Sequence, residues 1–149
     1  MSTEPYDTDF DYLAAEGAII ARLTANVPGL EQVSSEASVA SLQSGQLDTP
    51  AALVLWSHDT PEKNDDPEAP QRIEQTWLVC LVVSVADDKT GERARAQAGP
   101  LITRVIRAMK AWVPADGFEA FTFSAAIEPQ LAAGGVLYIP IPFKTAFIL

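Results

Sequence analysis

The side chains that could carry out chemistry are few in this sequence of 149 residues. It has one histidine, His58, and one cysteine, Cys80. A hydrolytic triad would have to be built on His58, and its neighbours Ser57 and Asp59 are of suitable types. Adjacent side chains diverge along a backbone, however, so neighbours in sequence do not make a triad. His58 is read as an exposed loop histidine. Cys80 lies inside Trp77-Leu78-Val79-Cys80-Leu81-Val82-Val83. With no cationic group nearby in sequence to lower its pKa, it is read as a buried, inert thiol. A single cysteine also excludes an intrachain disulfide. Asp65, Asp66 and Glu68 suit a hard cation by type, but the glycine turn and distal bidentate glutamate of a calcium loop are missing. A solvated charge run is the reading taken. Asp87 and Asp88 stand between a strand and a helix, where they could hold Mg²⁺ or serve a small hydrolase. The favoured reading there is a turn with exposed acids. Gly91, Gly99, Gly134 and Gly135 match neither a P-loop nor a dinucleotide fingerprint. Paired carboxylates for glycoside chemistry need only meet in space, and the sequence nominates no pair. The chain is therefore expected to work without catalysis, metal or cofactor, by binding other proteins.

The charge is as informative by placement as by amount. Lys and Arg number 10 against 20 Asp and Glu, a formal net charge of −10. Such a balance argues against a broad basic surface for nucleic acid. Glu4, Asp7, Asp9, Asp11 and Glu16 crowd the start, and Asp59, Glu62, Asp65, Asp66 and Glu68 crowd one internal segment. Half of the cations, Arg93, Arg95, Arg104, Arg107 and Lys110, lie in another. No apolar run approaches the roughly 20 residues of a membrane-spanning helix. The acidic start lacks the basic-then-apolar pattern of a secretory signal, so a cytosolic protein without membrane contact is expected.

The elements that must position these groups follow from periodicity. Residues 1–8 are polar and unpatterned and are expected to be flexible. Thr8 or Asp9 is placed to cap a helix in which Phe10, Leu13, Ile20 and Leu23 recur at helical spacing, ended by Pro28-Gly29. Leu30 to Ser34 reads as a short strand, Glu36 to Leu42 as a short helix, and Ala51 to Trp56 as a strand. Residues 57–71 carry three prolines, many charges and no large apolar side chain. Nothing there offsets ordering entropy by burial, so a mobile acidic hairpin loop is expected. Ile73 to Ala86 is the strongest strand, apolar on both faces. Trp77, Val79, Leu81, Val83 and Val85 face one way and Leu78, Cys80 and Val82 the other. Both faces then need cover, the second from a helix or a neighbouring subunit. Glu92 to Ala98 begins a helix that Gly99-Pro100 would kink or restart. Leu101, Ile102, Val105, Ile106, Met109, Trp112 and Val113 form its apolar stripe, with Arg104, Arg107 and Lys110 on another face. Phe118 to Ile127 and Val136 to Leu149 are further strands, joined by a connection ending in Gly134-Gly135. Pro140 and Pro142, two apart, aim their missing N–H groups at one edge, which cannot be fully paired there. Phe147-Ile148-Leu149 makes an apolar end that is expected to be docked. The sum is one domain, 1–149, of α+β class: a mostly antiparallel sheet of about four to five strands with two main helices packed on it.

Taken together, several of these segments resemble the small tail terminator, or tail completion, proteins of long-tailed bacteriophages, the Mu-like group above all. The likeness spans about Phe10 to Leu149. It rests on the first helix running into Val27-Pro28-Gly29-Leu30, the Pro50 to Trp56 strand and the long hairpin to Gln75-Thr76-Trp77-Leu78-Val79. The helix Ala98 to Trp112 and the closing strand Gly135 to Phe143 complete it. None of these is a diagnostic motif. The resemblance implies a structural protein rather than an enzyme. It implies a homo-oligomer, a hexameric ring on the head-proximal end of the tail tube that stops tube polymerisation and faces the head-tail connector. The tail tube protein and the connector would then be its partners, with DNA only passing through the lumen. The place of action would be the host cytoplasm during assembly and afterwards the virion tail. Separated acidic and basic patches suit the head-to-tail interface that closes rings. Arg104, Arg107 and Lys110 are the expected cationic side of it, and Asp59, Glu62, Asp65, Asp66 and Glu68 the acidic side. Phe147, Ile148 and Leu149 are added as apolar contacts. Another assembly or adaptor domain that binds a partner without a ring is the alternative, with a small hydrolase behind it.

Overall fold

The computed structural model describes residues 9–35, 47–132 and 134–149. The flexible start expected at 1–8 and the short helix expected at 36–42 fall outside the described residues. Helix α1 is Ala14–Asn26, followed by strands β1 (Gln32–Ser35), β2 (Ala51–Pro61) and β3 (Arg72–Ser84). Helix α2 is Glu92–Met109, and β4 (Thr122–Phe123), β5 (Gln130–Ala132) and β6 (Val136–Ile148) complete the order. The strands form one six-stranded sheet, β1-β2-β3-β6, with β4 and β5 both on the outer edge of β6. Every pairing is antiparallel except β1 with β2. The fold is α+β as expected, with a slightly higher strand count.

Both helices pack on one face of this sheet. Alternation along β3 sends Trp77, Val79, Leu81 and Val83 into that layer, and all four are fully buried. Ile19 and Leu23 of α1 and Leu101, Val105 and Met109 of α2 meet them, at the spacing that puts side chains on one side of a helix. Ile139, Ile141 and Phe143 of β6 extend the same core. The other face carries Leu53, Leu55, Leu78, Cys80 and Pro140, all half-buried, and Tyr138, which is exposed.

Several elements depart from expectation for visible reasons. Helix α1 begins at Ala14, not near Thr8. Phe10 lies outside it, with its ring 5.2 Å from Phe118 and 5.0 Å from Phe147, and the Tyr12 ring is 4.9 Å from Phe147. Two residues separated by one both reach Phe147, a spacing that a helix would not give. The Asp11 carboxylate accepts the Leu13 amide at 2.9 Å just before the first turn. Helix α2 runs unbroken through Pro100. The carbonyl that Pro100 cannot engage belongs to exposed Ala96, where water can take the bond. Strand β2 continues through Pro61, so the connection to β3 is 62–71, not 57–71. A bulge between Trp56 and His58 gives the strand one extra residue, Ser57, and its polar half pairs with Glu74 to Thr76.

The proline pair of β6 acts as its spacing predicts. Ser124 donates its amide to the Pro142 carbonyl, so Pro142, and Pro140 two before it, face the outer edge. No strand pairs there along the whole length: β5 covers 136–138 and β4 covers 143–144. The long strand expected over 118–127 is thereby reduced to two residues.

Candidate functional site

The structure places His58, Cys80 and Asp87 apart from one another, with exposed Asp87 lining a shallow cavity beside Lys89 and Gly134. His58 is exposed on the bulged strand, its Nδ1 2.9 Å from Ser57 Oγ. Cys80 is half-buried on the sheet face away from the helices, and burial pushes its thiol above the ordinary value. Asp88 is not an exposed turn acid. It is buried, and its Oδ2 accepts the Ala94 amide at 2.8 Å, satisfying a free donor in the first turn of α2. That employs one of the two candidate acids as a cap. Its turn lies against Gly135, whose carbonyl accepts the Val85 amide, and a Cβ at 135 would collide with the Val85 carbonyl oxygen. Among the described residues no group of three or more His, Cys, Asp and Glu could hold a metal ion.

The acidic connection 62–71 is tied down by its own side chains. Asn64 Oδ1 accepts the Asp66 amide at 3.0 Å, and Asp66 Oδ1 accepts the Glu68 amide at 2.9 Å. Gln71 Nε2 donates to the Glu62 carbonyl. At its base, Arg72 holds Glu119 through two bonds, at 2.8 and 2.9 Å, with Glu62 at 3.5 Å and Glu74 at 3.7 Å. The Arg72 guanidinium holds the Glu119 carboxyl below its usual range. Asp65, Asp66 and Glu68 remain exposed.

Three of the expected interface residues are used inside the molecule. Asp59 accepts the Tyr12 hydroxyl at 2.6 Å and Trp56 Nε1 at 2.9 Å. Burial, then the Asp59 carboxylate, pushes the Tyr12 phenol up to about 12. Phe147 is 1 % exposed and belongs to the aromatic core, which corrects its expected role as a contact. Glu62 is held by Arg72. Ile148 is 61 % exposed, so it is open to a partner. Leu149, also exposed, is docked through its backbone, which exchanges two hydrogen bonds with Gln71.

The cations of α2 stand apart from these acids. Arg93, Arg95 and Arg104 donate to the carbonyls of Ala86, Thr90 and Pro28. Arg107 and Lys110 point outward at the end of the helix, and among the described residues neither forms an ion pair. Beside Lys110, a groove of about 490 Å³ opens between Ile106 and Ala111 on one side and Ala120 to Phe123 on the other. Ala111 sits at φ 64°, a left-handed conformation unusual for a residue with a Cβ. It is fixed there because its amide donates to the Phe121 carbonyl at 2.9 Å, while the Phe121 amide donates to Trp112. Phe121 is buried on Trp112, whereas Phe123 is 41 % exposed. The strand expected over 118–127 gives no hint of this groove; the Pro140–Pro142 spacing is the available sign of an unfilled edge.

Acids and cations thus occupy opposite sides of one sheet. The 62–71 connection joins β2 to β3, and the end of α2 lies over β4, beyond β6. Both lie toward the end of the sheet where β3 begins, since Thr122 of β4 is level with Lys144 and, through it, with Thr76.

A family model described as phage tail terminator protein matches residues 8–149. No curated protein sequence matches the chain. Among solved structures, a chain from "Virion of native gene transfer agent (GTA) particle" superposes with a TM-score of 0.62 at 13 % sequence identity. The match covers 93 % of this chain and 100 % of that one, a likeness of fold.

Proposed function

This chain belongs to the phage tail terminator family, and from that premise we propose that it closes into a ring, a hexamer, on the head-proximal end of a tail tube. There it ends tube polymerisation and offers its free face to the head-tail connector. The family is one of structural proteins, and the role in tail assembly is a structural one. The observation that carries the ring is the lateral separation of charge. Exposed Asp65, Asp66 and Glu68 lie on the β2–β3 side, and Arg107 and Lys110 at the end of α2 over β4, toward the same end of the sheet, with Arg104 farther back beside Pro28. Two such surfaces are brought together by a rotation that repeats from copy to copy, which is how a head-to-tail interface closes. Charges of this kind set register and encounter rate more than affinity. The 62–71 connection, fastened through its own side chains and at its base, would present Asp65, Asp66 and Glu68 to a neighbour. Assembly would begin in the host cytoplasm, with DNA passing through the finished lumen.

The mass in solution tests this, by light scattering on a sizing column over a range of salt and protein concentration. A mass near six chains with annular particles by electron microscopy is expected, in free solution or once assembled tail tubes are added. A monomer in every condition that also ignores tail tubes would sink the reading. Charge reversal at Arg104, Arg107 and Lys110 together is expected to weaken assembly and flatten its salt dependence; unchanged assembly removes these three from the interface.

A further inference from the structure

We propose that the free edge of β4, with the groove beneath it, is a docking lane for an extended acidic segment of a partner protein. The segment would add as a strand beside Phe123. The lane follows from hydrogen-bond alternation. Thr122 lies opposite Lys144, and Ser124 donates to the Pro142 carbonyl at 3.0 Å, so both face β6. Phe123, between them, turns its N–H and C=O outward, and among the described residues neither has a backbone partner. At Phe121 the same lane is already filled by Ala111 and Trp112. The opening therefore begins at Phe123.

A strand seated there has its side-chain chemistry dictated by period two. The residue opposite Phe123 lies on the helix side and meets the groove lined by Ile106, Ala111 and Phe121, so it is apolar. Toward Phe121 the strand must end, because Ala111 and Trp112 fill the lane there, and Lys110 stands at that end of the groove, with Arg107 one turn back along the helix. Residues one position away lie on the opposite face beside Thr122 and Lys144. Lys110, Arg107 and Lys144 form no ion pair among the described residues. The complement is an apolar residue with carboxylates at the end nearest Lys110 and Lys144. Backbone pairing supplies affinity and alternate side chains supply selectivity, as in other strand additions. The chain's own 62–71 connection is a poor occupant. It has no large apolar side chain, and Pro67 and Pro70 lack the donors a strand needs.

The probe is a fluorescein-labelled peptide, Glu-Glu-Val-Glu-Glu, capped at both ends, added to the full chain. Anisotropy and hydrogen–deuterium exchange are the readouts. Saturable binding with new protection at 122–124 is expected. Replacing the central valine by glycine, or every glutamate by lysine, is expected to weaken binding at least about tenfold, the equivalent of about 1.4 kcal/mol. Phe123→Pro removes the outward donor without breaking a pair with β6, and is expected to abolish binding. Should Phe123→Pro fail to fold, Lys144→Glu serves, because it reverses charge without touching the backbone. Lys144→Glu also lies outside the cationic set invoked for the ring, so lost peptide binding with unchanged assembly mass separates the two ideas. The proposal is overturned by no saturable binding, by protection elsewhere than 122–124, or by equal binding of the lysine peptide. Tighter competition by a short oligothymidylate than by the glutamate peptide would also overturn it, in favour of phosphate.

Discussion

The 62–71 connection and the β4 edge are both polar, exposed and charged, yet they are built in opposite ways. In the first, backbone donors and side chains find partners within the segment or at its base, through Asn64, Asp66, Gln71 and Arg72. In the second, a strand edge, two helix-end cations and Lys144 have no counterpart among the described residues. Charge density alone therefore does not mark an interface. A satisfied charged segment is a finished structure that can offer only its outermost groups, here Asp65, Asp66 and Glu68. An unsatisfied one has donors and cations still to be matched, which is the physical condition for binding something else. If the contrast is real, substitutions in the fastened region cost stability and those at the open edge cost interactions.

Phe147→Ala is the severest test of the fastened region. The ring is buried against Phe10, Tyr12 and Phe118, so its loss removes apolar contact and leaves a cavity. Unfolding in urea is expected to show about 3–5 kcal/mol less stability. A cost below about 1 kcal/mol would mean that the C-terminal strand is not held as described. Asp59→Ala comes next. It strands the Tyr12 hydroxyl and the Trp56 indole N–H, and about 1–2 kcal/mol is expected by the same measurement. The Tyr12 phenol is raised to about 12, so its contribution to stability is full below its ordinary value of 10.0 and is lost as pH climbs through about 12. Tyr12→Phe is expected to erase that alkaline loss.

What the sequence made legible divides along the same line. Strand β3, the apolar stripe of α2 from Leu101 to Met109 and the consequence of Pro140–Pro142 are local patterns present in the fold, whereas Trp112 and Val113 of the expected stripe lie beyond the helix end and Val113 is exposed. Residues 57–61 are polar with one proline, and no local signal marks them as strand. They are extended because 73–76 of β3 pair with 58–61. Asp88 reads as a turn acid until the first turn of α2 is seen to lie six residues on. Phe121 and Phe123 share an alternation, but the hydrogen bonds from Ala111 and to Trp112 send one into the core and leave the other at the edge. The acidic and basic segments are legible as charge. Which charges are already engaged is not, because Tyr12 and Asp59 are 47 positions apart, as are Arg72 and Glu119.

A smaller effect is expected at Arg72. Glu119 is held below the usual carboxylate range mainly by its hydrogen bonds to Arg72. Its contribution to stability is therefore present above the unfolded value and lost as pH falls through the depressed folded one. Arg72→Met is expected to lower the neutral plateau slightly, because exposed pairs contribute little, and to flatten the acid limb, because the part of the loss caused by protonating Glu119 is gone. An unaltered acid limb would show that the cluster at the base of the connection is incidental.

The smallest expected change in stability is the most discriminating. Lys110→Glu and Lys144→Glu alter exposed or half-buried groups that form no ion pair among the described residues, so each should fall within about 0.5 kcal/mol of the parent in urea. Asp66→Ala, equally exposed, removes the acceptor of the Glu68 amide and should cost more than either lysine. The ranking, rather than any single value, carries the argument. If a charge reversal at the open edge destabilised the chain more than a truncation in the acidic connection, Lys110 or Lys144 would have to be matched inside the molecule, and the edge would not be waiting for a partner.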